Sequence, residues 1–296
     1  MYMKELDNLF LYCANNFDRN SCKKCAYTEC FGTQCEDCYC CLRKIHDVSN
    51  SSLHYQCANI MFNYILKFFN RYASEVVYCV YPLLEKYFLS SNNIIAYSLG
   101  CGPSSELYSI ISSSRHLGIK DSCIHYYGFD ISSQWDEISK LNESYFPEVY
   151  INFLHEDMFD YIKKGTQHID IMILNYVLSD IMRYDKDEGQ DIADKMINVI
   201  KSKRASYIII NDIPLFYTKD KKTSAYILMD KIEKAVQNEK GIKVKKYHFV
   251  EPNEFQPKYG KKIKENNLCF NTPKEVETFD PMPQCGSIVQ LISVEK

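Results

Sequence analysis

The stretch Asn92-Asn93-Ile94-Ile95-Ala96-Tyr97-Ser98-Leu99-Gly100-Cys101-Gly102-Pro103-Ser104-Ser105-Glu106-Leu107-Tyr108 decides the fold. An apolar run of β-character stops at Gly100-Cys101-Gly102, and a helical pattern starts at once behind it. Two glycines permit a sharp turn and a close backbone approach to a ligand, and a helix start offers unpaired N–H groups. The reading is strand, glycine turn and helix, a grammar that suits a nucleotide-like ligand.

Outward from this stretch, strand and helix patterns alternate. Strands are expected at 94–99, 124–129, 150–154, 169–174, 206–211, 243–250 and 287–294. Helices are expected at 104–115, 133–141, 157–163, 188–201 and 220–237. Alternation of this kind predicts an α/β fold with a doubly wound, seven-stranded, mostly parallel sheet. No helix separates the last two strands, and their 251–286 connection is long and rich in proline, so they are expected to form a terminal antiparallel pair. Residues 54–89 read as helix, with Ile60, Met61, Tyr64, Ile65, Phe68 and Phe69 on a wide apolar face, and Pro82 is expected to kink or break its second part. A shorter lead-in helix carries Leu6, Leu9, Phe10 and Cys13 at helical spacing. The chain divides on this reading into a cysteine-rich module (1–57), a helical cap (58–90) and the α/β domain (91–296).

With 296 residues, 46% hydrophobic, the chain is long enough for a sizeable core. Its net charge of -3 implies no global attraction to nucleic acid or to a membrane surface. Neither a secretory leader pattern nor an apolar run of about 18 residues is visible, which predicts a cytoplasmic protein. A local basic rim for phosphates is conceivable from Lys201, Lys203, Arg204, Lys219, Lys221 and Lys222 with Lys258, Lys261, Lys262 and Lys264; a solvated lysine-rich surface explains the same residues.

The expected strand ends carry the chemistry. The second strand ends in Asp130, followed by Ile131; an acid there can accept hydrogen bonds from ribose hydroxyls. The third runs into Asp157-Met158, an acid for an exocyclic amine and a thioether for a ring face. The fourth runs into Asn175-Tyr176-Val177-Leu178-Ser179-Asp180. In a doubly wound sheet these ends share one edge, where ligands bind.

With those residues in order, the chain from about 90 to 296 resembles the class I S-adenosylmethionine-dependent methyltransferases. Leu99, Gly100, Cys101 and Gly102 look like their first motif, with Ser104 where a third glycine often sits. Asp130 and Ile131 look like their ribose segment, and Asp157 and Met158 like their adenine segment. The resemblance implies S-adenosylmethionine as methyl donor, with Asn175 near it. It implies an acceptor aligned beside Asn175, Tyr176 and Asp180, which become the candidate catalytic residues. The acceptor, whether small molecule, protein or RNA, is not specified. No cysteine follows a proline, and no Pro-Pro pair follows Asn175, which argues against two familiar routes to base methylation. Two alternatives stand beside it: a catalytically silent protein of this fold that docks a partner through its cysteine module, and an NAD(P)-dependent oxidoreductase.

Nine of the fourteen cysteines precede residue 60. Cys22-x2-Cys25 and Cys35-x2-Cys38 have the spacing of a tetrahedral thiolate site. Cys13, Cys30, Cys40, Cys41, His46, His54 and Cys57 are further candidate ligands. Zinc is the expected ion and an iron–sulfur cluster the competitor. The remaining cysteines (79, 101, 123, 269 and 285) read as small buried hydrophobes.

Overall fold

The computed structural model describes residues 2–18, 58–214, 225–251, 258–266, 268–282 and 284–295. Every proposed metal ligand from Cys22 to Cys57 lies outside the described residues, as do Lys219, Lys221 and Lys222.

Among the described residues eight strands form one sheet: β1 (Ile94–Leu99), β2 (Ile124–Phe129), β3 (Tyr150–Leu154), β4 (Ile169–Asn175), β5 (Ala205–Asp212), β6 (Ile242–His248), β7 (Lys261–Lys262) and β8 (Ile288–Val294). Their spatial order is β3-β2-β1-β4-β5-β8-β6-β7. Pairing is parallel from β3 to β5, whereas β8 runs antiparallel to both β5 and β6. The expected α/β sheet with its terminal antiparallel pair is therefore present. An eighth strand is added, the two-residue β7 inside the long proline-rich connection, too short to leave a pattern.

The helices are α1 (Lys4–Asn16), α2 (Ala58–Tyr87), α3 (Ser105–His116), α4 (Asp136–Tyr145), α5 (Met158–Lys164), α6 (Leu178–Tyr184), α7 (Lys186–Lys201) and α8 (Ala225–Val236). One correction concerns α2: of the kink or break expected at Pro82, no break occurs, and a single helix of 30 residues runs through it. Proline removes one intrahelical hydrogen bond. The apolar face continues across it with Val80, Leu83 and Leu84, all buried, so packing keeps the helix whole. A second concerns α6, which precedes the expected 188–201 helix; seven residues are too few for periodicity to register.

Alternate residues of each strand feed two cores. Ile94 and Ala96 of β1, Ile124 and Tyr126 of β2, and Ile171 and Ile173 of β4 meet α1, α2 and α3 on one face. Ile95 and Tyr97, Tyr127 and Phe129, and Met172 and Leu174 meet α5, α7 and α8 on the other. The lead-in helix α1 joins the first core through Leu6, Leu9, Phe10 and Cys13, each 1% exposed or less. Cys13 is thus buried in this core, and burial pushes up the pKa of its thiol. Among the described residues no helix is long and apolar enough to cross a membrane.

Candidate functional site

The parallel strands all end on one edge, and the turn after β1 sits at its centre. Gly100, Gly102 and Ser104 have φ of 61°, 47° and 67°, all left-handed. A Cβ at Gly100 would stand 2.8 Å from Val177 Cγ2, so both the dihedral and the space demand glycine there. Asp130, at the end of β2, holds the turn directly. Its Oδ2 accepts from Gly102 N–H at 2.9 Å and its Oδ1 from Ser132 N–H at 2.9 Å. Burial raises the pKa of Asp130, and those two N–H groups oppose the rise. Each carboxylate oxygen keeps a second lone pair for a ligand hydroxyl. His155 clasps the same corner, Nδ1 at 3.0 Å from Asp130 O and Nε2 at 2.8 Å from Asp136 Oδ1. The carbonyl and carboxylate together favour its protonated form and raise its pKa.

A buried polar chain lies beneath the turn. Asn175, ending β4, donates from Nδ2 to Ser105 Oγ at 3.1 Å and accepts at Oδ1 from Asn211 Nδ2 at 2.7 Å. Asn211 also donates to Glu75 Oε2 at 2.9 Å and accepts from the Ser287 hydroxyl. Glu75 Oε1 accepts from Arg71 Nε at 3.1 Å and from Gly286 N–H at 2.7 Å. Glu75 is fully buried, so its charge depends on this complete set of partners. Asn175 thereby joins α2, α3, β4, β5 and the segment before β8 at one point.

The cleft above has a volume of about 150 Å³ and is lined by the glycine turn, Ser105, Glu106, Asp130, Asn175, Tyr176, Val177, Asp180 and Ile181. Aromatic side chains roof it. Tyr72 of α2 stacks on Tyr176 with ring centres 3.8 Å apart, and Tyr64 packs on Trp135 at 5.9 Å. Tyr176 is itself left-handed, with φ of 59°, an uncommon state for a bulky residue. Its N–H donates to Asn211 O at 2.7 Å, which holds it there. One buried acid lines the cleft, and a second ends β5. Burial lifts Glu106 to about 7, and its Oε2 has no hydrogen-bond partner. Burial lifts Asp212 to about 7 as well, against the N–H groups of Ser179 and Ile213 that it accepts from.

The candidate residues are distributed as follows. Gly100, Cys101, Gly102, Asp130, Asn175, Tyr176 and Asp180 line one cleft. Leu99 and Ser104 shape the turn from behind, Ser104 fully buried. Ile131 is 87% exposed beside Asp130, an apolar side chain with nothing over it. Asp157 and Met158 are elsewhere. Asp157 caps α5, accepting from Phe159 N–H at 2.7 Å, and pairs with Lys195 of α7 at 3.0 Å. Burial alone would raise its pKa, but Lys195 and the cap outweigh it and lower it. Met158 is fully buried in the core around α5. The basic residues divide as well: Lys201, Lys203 and Arg204 precede β5, whereas Lys261 and Lys262 adjoin the far end of β6, at the opposite edge of the sheet. Arg204 is committed to the carbonyls of Ile162 and Gly165. Lys258 and Lys264 flank β7. Sequence reasoning missed Arg71, Tyr72, Glu75 and Trp135. The available signal was a carboxylate set inside the apolar stripe of α2.

No protein-family model matches the chain, and no curated protein matches it. Solved structures do resemble it. One is ribosomal protein L11 methylase from Lactobacillus delbrueckii subsp. bulgaricus, 12% identical over 76% of this chain and 79% of that chain, with a TM-score of 0.39. Another is the plantazolicin methyltransferase BpumL in complex with SAH, 12% identical over 99% and 98%, with a TM-score of 0.42. A third is an rRNA methylase from Streptococcus thermophilus, 10% identical over 74% and 97%, with a TM-score of 0.45. At these identities the likeness is one of fold.

Proposed function

We propose that the chain is an S-adenosylmethionine-dependent methyltransferase whose donor binds at the Gly100–Gly102 turn. The observation that carries this reading is the convergence of a glycine cradle, the Asp130 carboxylate and Asn175 around one cleft at the parallel strand ends. The residues fit the donor's parts. Asp130 keeps acceptor capacity for ribose hydroxyls. Exposed Ile131 offers an apolar surface for the adenine ring. The left-handed glycines let a ligand approach main-chain carbonyls closely. Glu106, with one oxygen unpartnered, supplies an acceptor for an ammonium group. Asp157 is left out of this assignment, because it lies outside the cleft lining, capping α5 and paired with Lys195.

When bound, the donor supplies an already activated methyl group, so the protein's task is alignment and exclusion of water. Tyr64, Tyr72, Trp135 and Tyr176 provide that cover. Asp180, at the cleft's rim, is the group we assign to accept a proton from the acceptor. At about 150 Å³ the cleft is tighter than a usual ligand pocket of about 300 Å³ or more, so donor entry requires the Tyr72–Tyr176 stack to part.

Calorimetry with S-adenosylmethionine and S-adenosylhomocysteine tests the donor site, and S-adenosylhomocysteine release with fractionated cell extract tests turnover. Binding of both, lost by at least about tenfold in Asp130→Ala, is expected from the loss of charge-assisted bonds. Binding of NAD(P) in their place would overturn the reading. Binding without turnover on any fraction would make this a silent member that only docks a partner. The cysteine module of 22–57 remains, on its spacing alone, a proposed zinc site, and its test is metal analysis of the purified chain.

A further inference from the structure

The segment between β7 and β8 runs back along α2 and returns, and its two limbs meet at Glu265, Cys269 and Cys285. Along the way Phe270 N–H donates to Ser74 Oγ at 2.9 Å, and Gly286 N–H to Glu75 at 2.7 Å. The Glu265 carboxylate and the two sulfurs all lie within 4.8 Å of one another. The carboxylate is oriented by Cys285 N–H at 3.1 Å, on Oε1, while its Oε2 is 3.9 Å from Cys269 Sγ. Tyr78 of α2 places its hydroxyl 3.3 Å from Cys269 Sγ, and that hydroxyl accepts from Asn266 N–H at 2.6 Å.

We infer that Glu265, Cys269 and Cys285 form a site for one borderline-soft divalent cation, zinc in the first instance. Two sulfurs and one carboxylate oxygen are the donor set that selects such an ion. A tetrahedral centre with metal–sulfur bonds of about 2.3 Å needs ligand separations of about 3.8 Å, so the site closes on its ion by about 1 Å. Three protein ligands leave a fourth position for water. Tyr78 and the Cys285 N–H are the outer partners such ligands require, the phenol donating to one sulfur and the amide fixing the carboxylate. The ion would pin the two limbs of the strap together one turn along α2 from Glu75. The inference depends neither on the cysteines of residues 22–57 nor on the methyl-donor reading.

The test uses the full chain, reduced, stripped of metal and titrated anaerobically with cobalt(II) alone. The number of equivalents and the thiolate-to-cobalt absorption are compared between the parent, Cys269→Ser/Cys285→Ser and Glu265→Ala. The double variant is expected to bind one equivalent fewer. Glu265→Ala is expected to weaken that one equivalent by at least about tenfold, since it removes a ligand rather than an orienting partner. The Glu265 side chain is exposed, so this variant keeps the fold and decides the matter if circular dichroism shows the double variant unfolded. Equal stoichiometry in parent and double variant, or full-strength binding in Glu265→Ala, overturns the site. So does a Cys269–Cys285 disulfide in the isolated chain that, once reduced, takes up no metal.

Discussion

Gly100 and Gly128 are small for different reasons, and the difference predicts different failures. Gly100 is left-handed and faces Val177 at 2.8 Å from a would-be Cβ. Gly100→Ala is expected to move the turn and Val177 together, cutting S-adenosylmethionine affinity by at least about tenfold in calorimetry, with a smaller effect on the urea midpoint. Gly128, inside β2, leaves room for Cys101 Sγ and the Phe153 ring, each 2.8 Å from an added Cβ. Gly128→Ala overpacks a rigid layer and should cost about 1–3 kcal/mol in urea unfolding. Glu106 sets a pH dependence. Its folded pKa of about 7 lies above the ordinary 4.5, so the folded chain holds a proton that the unfolded chain releases between those values. Stability from this group is therefore full below about pH 4.5, falls as pH rises through the window, and is lost above about pH 7. Glu106→Gln is expected to flatten that fall, gaining up to about 3 kcal/mol over the parent near pH 8 and nothing near pH 4 in urea melts. A gain equal at both pH values would place the effect elsewhere.

The helix α2 carries most of what the sequence left unread. Its apolar face was legible from Ile60 to Leu84, because 3.6-residue periodicity is a local property; its continuity through Pro82, which packing maintains, was not. That Glu75 belongs to the interior was not, since its partners Asn211 and Gly286 are 136 and 211 residues away. A carboxylate's burial is decided by tertiary partners, which no window of sequence contains. Likewise Asp130 was readable as a strand-end acid, whereas Asp157 at an equivalent position caps α5 and also pairs with Lys195 of α7, 38 residues on. The network makes a firm prediction. Glu75→Ala strips partners from Arg71, Asn211 and Gly286 at once, and should cost about 3–5 kcal/mol in urea unfolding. Glu75→Gln, which keeps one acceptor oxygen, should cost clearly less. Equal losses in the two variants would show that shape rather than hydrogen bonding is what Glu75 provides.

Across the whole molecule, the alternation of strand and helix was enough to give the parallel sheet, and the long proline-rich connection gave its antiparallel end. The place of α1 was harder to see, because a cysteine-rich segment follows it in the chain while its contacts are with α2 and with the turn Lys274–Phe279 far along the sequence. Arg115 at the end of α3 pairs with both Glu5 and Asp121, tying α1 to the α/β core. Deleting residues 1–18 removes Leu6, Leu9 and Phe10, fully buried and worth about 1.5–3 kcal/mol each, together with buried Cys13. The expected outcome is an aggregating chain in size-exclusion chromatography, whereas an unaffected monomer would make α1 dispensable.

The position of β8 between β5 and β6 has a consequence for biosynthesis. Strands β1 to β5 are made in an order that lets each find its neighbour soon after it emerges. For β5 the neighbour on one side is residues 288–294, so its edge stays unpaired for some 75 residues of further translation. During that interval the nascent chain presents Ile208, Ile209 and Ile210 on an open strand, the window in which a chaperone matters most.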